Sequence, residues 1–240
     1  MALRIFLAGA SGAIGRRLIP LLLGAGHDVT GSTRTEKVVR ELESAGVHGV
    51  VADVYDADAL KRAVVAARPD IVIHQLTDLP RVFDEKELVA AYPRNARIRS
   101  EGTRNLIAAA RAAGARRFIV QSVAFAYAAG REPHVETDPL NLTDGPRLPT
   151  VRAAADMEAQ VLGSGMEPVV LRYGLLYGPG TWTEGPARKP PVHVDAAAQA
   201  AFLALTRGAG IYNIADEDGT VSIDKARKEL GFDPGFRLPS

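Results

Sequence analysis

The 240 residues predict an α/β fold: a doubly wound, mainly parallel seven-stranded sheet with helices on both faces and a reduced C-terminal substrate lobe. Three observations predict it. The apolar run at Leu3, Ile5 and Leu7 alternates as a buried strand does, then stops at a glycine cluster that opens a helical pattern. Strand-like and helix-like stretches go on alternating along the chain, which is the pattern of a parallel sheet. The length suffices for one large domain with a substantial core and not comfortably for two.

The glycine cluster organises everything after it. Gly9, Gly12 and Gly15 answer three needs: a turn conformation closed to residues with a Cβ, close backbone approach to a pyrophosphate, and tight packing of helix on strand. Free N–H groups at the helix start, with the positive end of the helix dipole behind them, suit phosphate oxygens. Gly9, Ser11, Gly12, Ala13, Ile14 and Gly15 are therefore the candidate cradle of a dinucleotide.

The spacing Gly-x-x-Gly-x-x-Gly resembles that of the short-chain dehydrogenase/reductase superfamily, in particular its extended and atypical branches of epimerases and dehydratases. The resemblance covers Leu3 to Gly180 and returns in Val192 to Asp195 and in Lys225 to Phe232. It implies a Rossmann-type NAD(P)-binding domain over 1–180. Residues 181–240 then form the reduced lobe, the last strand and a C-terminal helix, as part of one structural unit.

Composition narrows the function classes. A net charge of +1 with dispersed Lys and Arg leaves no footprint for nucleic acid or an anionic membrane, so a small-molecule substrate is the expected partner. With no cysteine, disulfides, thiolate catalysis and thiolate metal sites are excluded. No metal-ligand cluster is visible. The first strand starts almost at Met1 and Leu18 to Leu23 is too short to span a bilayer, so a cytoplasmic location is the expectation.

Each element follows in order. The first helix is expected over Gly12 to Gly24, bent at Pro20 and stopped by Gly24 and Gly26. His27 to Ser32 reads as the second strand. At its end, roughly twenty residues past the glycines, NAD-selective proteins carry an acidic residue for the ribose diol. Thr33 and Arg34 stand there instead, and a guanidinium can grip a 2′-phosphate, which favours NADP over NAD. Lys37 to Ala45 reads as helix and Gly46 to Ala52 as strand. Asp58 opens a helix over Ala59 to Ala67, and Ile71 to His74 is the next strand. The resemblance implies that Asp53 and Val54 meet the adenine edge and that Gln75, Leu76 and Thr77 pack against the ribose and nicotinamide. His74 reads as a satisfied structural imidazole.

Glu85 to Ala113 is a long helical stretch interrupted near Pro93, either two helices or one kinked helix. Gly102-Thr103-Arg104-Asn105-Leu106 resembles a family segment that in many members forms a dimer interface, so a homodimer is an expected assembly. The family's active-site Asn three residues before that glycine is replaced by Arg99, and Asn95, one turn earlier, is the nearest substitute.

The catalytic pattern departs further. Arg117 to Gln121 is the fifth strand and delivers Ser122 to Tyr127. Matched on Tyr127, the family's hydroxyl position falls on Val123, and Ser122 points to the other side of the strand. The Tyr-x-x-x-Lys pair, whose ammonium lowers the phenol pKa, is missing. Along the helix Val151 to Leu162 its two positions correspond to Thr150 and Ala154.

Pro168 to Tyr173 is a sixth strand, and Arg172 to Thr181 resembles the segment that closes over the nicotinamide. Ile211 to Ile214 is the seventh. The remaining catalytic candidates are Tyr127 and Ser122 first, then Tyr177 and His193, with Trp182 as an apolar wall; Ser122 is also a candidate cofactor contact. The leading expectation is an NADP-dependent oxidoreductase or epimerase/dehydratase-like enzyme on a small carbonyl or hydroxyl compound. The alternatives are a redox-silent NADP-binding sensor and a non-redox isomerase, lyase or cyclase.

Overall fold

The computed structural model describes residues 1–80, 82–145 and 147–239. The chain opens with β1 (Arg4–Ala8), α1 (Ala13–Gly24), β2 (Asp28–Thr33), α2 (Glu36–Ser44), β3 (His48–Val51), α3 (Ala57–Ala67) and β4 (Ile71–His74). Next come α4 (Glu85–Arg97), a π-helical turn (Ile98–Gly102), α5 (Thr103–Ala112), β5 (Arg117–Val123), α6 (Leu148–Leu162) and β6 (Glu167–Tyr173). A small pair, β7 (Leu175–Tyr177) and β8 (Pro191–His193), precedes α7 (Val194–Leu203), β9 (Gly210–Ile214) and α8 (Asp224–Leu230).

Seven strands form one sheet in the order β3-β2-β1-β4-β5-β6-β9, every pairing parallel. Each crossover needs a covering layer, and the strands supply the alternation for both. Ile5 and Leu7 of β1 join Ile14, Leu18 and Leu22 of α1 and the alanine-rich α7 on one face. Phe6 and Ala8 join Leu60 and Val64 of α3, Leu106 of α5 and Met157 of α6 on the other. The strand order reverses between β1 and β4, so the crevice for a ligand opens outside the carboxyl ends of those strands. Register aligns Ala8 with Ser32 on one side and with His74 on the other, so Gly9, Thr33 and Gln75 leave the sheet along one edge.

Local physics sets the element ends. Helix α1 continues through Pro20 to Gly24, and Gly26 takes φ +76° just beyond. Helix α3 starts earlier than expected because Asp56, not Asp58, is the cap: its carboxylate accepts from the Ala59 amide at 2.9 Å. Helix α4 passes Pro93 unbroken, and the interruption of the long stretch falls at the π-helical turn instead. Helix α6 begins at Leu148, three residues before Val151, with proline in its first turn where no N–H partner is needed. The β7–β8 pair was not expected; each strand is only three residues long, too short for a periodicity signal.

Candidate functional site

The turn after β1 has no room for side chains. Gly9 takes φ +93°, and a Cβ there would sit 2.6 Å from the carbonyl carbon and oxygen of Gln75. A Cβ on Gly15 would sit 2.6 Å from the Ala10 carbonyl oxygen. The Gly12 amide donates to the Gly9 carbonyl at 3.0 Å and closes the turn. Gly12 caps α1 without a side chain, and the first helix amides, Ala13 to Gly15, have no backbone acceptor among the described residues. Three donors at the positive end of a helix, on a glycine-lined approach, fit the pyrophosphate of a dinucleotide.

The rest of the crevice edge is prepared in the same way. Thr33 ends β2 and Arg34 is exposed, with no salt-bridge partner among the described residues. Asp53 accepts from the Tyr55 amide at 3.0 Å and shapes its own turn, while Val54 is buried against the bare Gly102. A Cβ on Gly102 would lie 3.2 Å from the Val54 methyls, and Asn105 Nδ2 donates to the Val54 carbonyl at 2.9 Å. The Gly-Thr-x-Asn-Leu segment therefore holds the loop of Asp53 and Val54. Thr103 extends this to β4: its hydroxyl is 3.1 Å from His74 Nε2, while His74 Nδ1 accepts from the Leu76 amide. The accepting Nδ1 makes His74 neutral, and burial pushes its pKa down to about 4.

Beyond β4, Gln75 donates to the Tyr173 hydroxyl at 3.3 Å, but its own carbonyl oxygen Oε1 is buried with no partner. An orphaned acceptor at this edge fits a group that a bound ligand would satisfy. Leu76 is fixed through its carbonyl, which accepts from Gln121 at 2.9 Å, and Thr77 is exposed. Asn95 clamps the next residue at both ends, accepting from the Asp78 amide and donating to its carbonyl, each at 3.0 Å.

The hydroxyls expected to do chemistry are tied into a different structure. Ser122 Oγ donates to Glu158 at 2.5 Å, and Arg172 grips the same carboxylate through Nε at 2.9 Å and Nη2 at 2.7 Å. Arg172 Nη1 donates to Tyr127 OH, which in turn donates to Asn213 Oδ1 at 2.6 Å. Burial pushes the Tyr127 phenol up despite the adjacent guanidinium, away from the range useful for proton transfer. Ser122 reaches Glu158 on α6, and strand alternation turns Val123, next along β5, to the other face.

Tyr177 and His193 come together at the β7–β8 pair, ring edge to ring face at 5.1 Å. Tyr177 OH donates to Asp216 at 2.8 Å, and burial together with that carboxylate raises its pKa. His193 caps α7, its Nδ1 accepting from the Asp195 amide at 3.1 Å, and burial lowers its pKa. Asp195 is bound in turn by the Arg17 guanidinium and the Leu238 amide. Gly178 makes this packing feasible, because a Cβ there would lie 2.5 Å from His193 Nε2.

Two features escaped the sequence. Trp182 Nε1 donates to the Pro80 carbonyl at 2.8 Å and its ring meets Phe83, so the loop after β4 is clasped to the loop before β8. Arg99 reaches the first turn of α6 and donates to the Thr150 carbonyl at 3.1 Å. Its replacement of Asn was visible as a departure from pattern, but its reach across to α6 was not. Among the described residues no helix is long and apolar enough to cross a membrane, and no cluster of ligating side chains could hold a metal ion.

Comparison with known proteins agrees with this geometry. Residues 9–198 match the family described as NAD(P)H-binding. A curated relative from a Streptomyces species, 3-diazoavenalumate denitrifying reductase, is 43% identical over 182 residues, which are 75% of this chain and 58% of that protein. The chain thus spans less than two thirds of that relative's length. UDP-glucose 4-epimerase of Thermotoga maritima, solved with UDP-glucose, superposes with a TM-score of 0.79 at 19% identity, covering 97% of this chain and 94% of that one. The Thermus thermophilus UDP-glucose 4-epimerase complex with NAD gives 0.74 at 24% identity, over 97% of this chain and 85% of that one.

Proposed function

The chain belongs to the NAD(P)H-binding family, among relatives of the epimerase/dehydratase type, and from that premise we propose that it is an NADPH-dependent reductase whose acceptor needs no proton from a side chain. When bound, NADPH supplies a hydride equivalent at its nicotinamide. The observation that carries the reading is the start of α6. By the family resemblance, Thr150 and the fully buried Ala154 correspond to the phenol and ammonium positions, and neither side chain titrates near neutrality, which supports the reading. The hydroxyls of Ser122 and Tyr127, held by Glu158, Arg172 and Asn213, do not replace them.

The chain's own work is then binding and orientation. Ala13 to Gly15 hold the pyrophosphate through their amides, Arg34 holds the adenosine 2′-phosphate, and Gln75 and Leu76 line the nicotinamide side. Acceptors that fit are those already electron-poor, and a diazo group is the first to test because a curated relative is named for one. An arenediazonium plus hydride gives the arene and dinitrogen, a balance that consumes no proton. An activated carbonyl or enone, which takes its proton from water, is the second.

The test is transfer of deuterium from stereospecifically labelled NADPH to a panel of arenediazonium salts, aldehydes, ketones and enones. The expected result is label in the reduced product from one face of the cofactor. Tight NADPH binding with no transfer to any member would overturn the reductase reading in favour of a redox-silent cofactor sensor.

A further inference from the structure

Arg99 occupies the π-helical turn between α4 and α5, a local widening of the helix that recurs at functional sites. Its guanidinium carries five N–H donors in a planar fork. One nitrogen, Nη1, is bonded to the Thr150 carbonyl, and no other hydrogen bond engages the group among the described residues. No carboxylate lies within ion-pair distance of it among those residues. Glu158, whose field reaches Arg99, is already engaged by Arg172 and Ser122.

Such a cation is costly to bury without a counter-charge, and burial pushes its pKa down to about 10. It stays charged at neutrality all the same. The other two guanidinium nitrogens have no hydrogen-bond partner among the described residues, and Arg99 is half-buried rather than closed off from solvent. Beside them Thr150 supplies the complementary feature, a hydroxyl oxygen that is buried and has no hydrogen-bond partner.

We propose that Arg99 and the Thr150 hydroxyl form an oxyanion subsite that holds a carboxylate of the substrate. A guanidinium fork matches a carboxylate in shape and charge, and a neighbouring hydroxyl can donate to the same oxygens. The inference deepens the reductase reading by naming a substrate class: a small electrophile that also carries a carboxylate. Arg99 acts here as an anchor and moves no proton.

The experiment uses binding alone, so it stands apart from the hydride test. Benzoate, and benzamide as the uncharged analogue of the same shape, are titrated by calorimetry into the NADP-loaded full chain. Benzoate is expected to bind about tenfold or more tightly than benzamide. In Arg99→Met that preference is expected to vanish while NADP affinity is retained, and Thr150→Val, which keeps the side-chain volume, is expected to weaken benzoate severalfold. Arg99→Lys is expected to restore part of the preference through charge alone. Equal binding of benzoate and benzamide by the wild type would overturn the proposal. So would an unchanged preference in Arg99→Met or, should that variant fail to fold, in Thr150→Val. Competition between benzoate and NADP would move the anion to the cofactor's phosphates and overturn it as well. Absence of hydride transfer, by contrast, would sink the reductase reading and leave this result standing.

Discussion

Glu158 of α6 and Arg172 of β6 meet fork to fork, with Nε–Oε1 at 2.9 Å and Nη2–Oε2 at 2.7 Å, and both side chains are almost wholly out of water. Ser122, Tyr127 and the Glu136 carbonyl complete the shell around the pair. An ion pair of this kind specifies geometry more than it adds net stability, but losing one member strands the other. Arg172→Met should therefore cost about 3–5 kcal/mol, measured by urea denaturation. A loss under about 1 kcal/mol would mean that Glu158 is not held as an ion.

Arg34 tests the cofactor preference without touching the fold, because it is exposed and unpaired at the end of β2 among the described residues. On the proposed reading Arg34→Ala should weaken NADPH about tenfold or more and NADH by little, since only the first carries a 2′-phosphate for the guanidinium to grip. Fluorescence titration of both nucleotides decides it. Equal losses would remove Arg34 from the 2′-phosphate.

The sheet was legible because β1, β4, β5 and β6 carry short apolar runs at 5–7, 71–73, 118–120 and 169–171, and the cradle because Gly9, Gly12 and Gly15 answer steric needs that hold whatever surrounds them. The polar interior was not. Ser122 and Tyr127 looked available because a sequence shows a hydroxyl but not the Glu158, Arg172 and Asn213 that bind these two from 36 to 86 residues away along the chain. Arg99 likewise read as a lost Asn, since its bond to Thr150 joins elements 51 residues apart. The cap of α3 was read as Asp58 and is Asp56, for a local reason: both precede the same apolar run, and only the hydrogen bond to Ala59 separates them.

His74 makes a pH prediction. Its folded pKa lies near 4 and its unfolded value near 6.5, because burial disfavours the imidazolium. Between those values the unfolded chain binds the proton and the native chain does not, so stability rises with pH. The contribution is fully present above about pH 6.5 and is lost as pH falls toward 4, a change of roughly 3 kcal/mol. Urea denaturation from pH 4 to 7 should show this slope in the wild type and a flatter one in His74→Gln. Identical slopes would mean that His74 does not report the linkage.

Trp182 is the single tryptophan of the chain and joins the loop after β4 to the loop before β8. Its indole donates to Pro80, its ring meets Phe83 at 5.5 Å, and the Arg188 guanidinium stacks on that same Phe83 at 4.6 Å. The loop after β4 borders the crevice at the strand ends, and on the proposed cofactor placement the clasp sits at its nicotinamide side. Reduced nicotinamide absorbs where indole emits, so NADPH should quench Trp182 emission by energy transfer and NADP should not. Trp182→Phe keeps an aromatic partner for Phe83 but deletes the bond to Pro80, worth about 1 kcal/mol. Amide exchange at residues 79 and 82–84 should then accelerate about fivefold, the factor that free energy implies, with the amides of β1 unaffected. Unchanged exchange at those residues would show that the indole bond does not hold the loop.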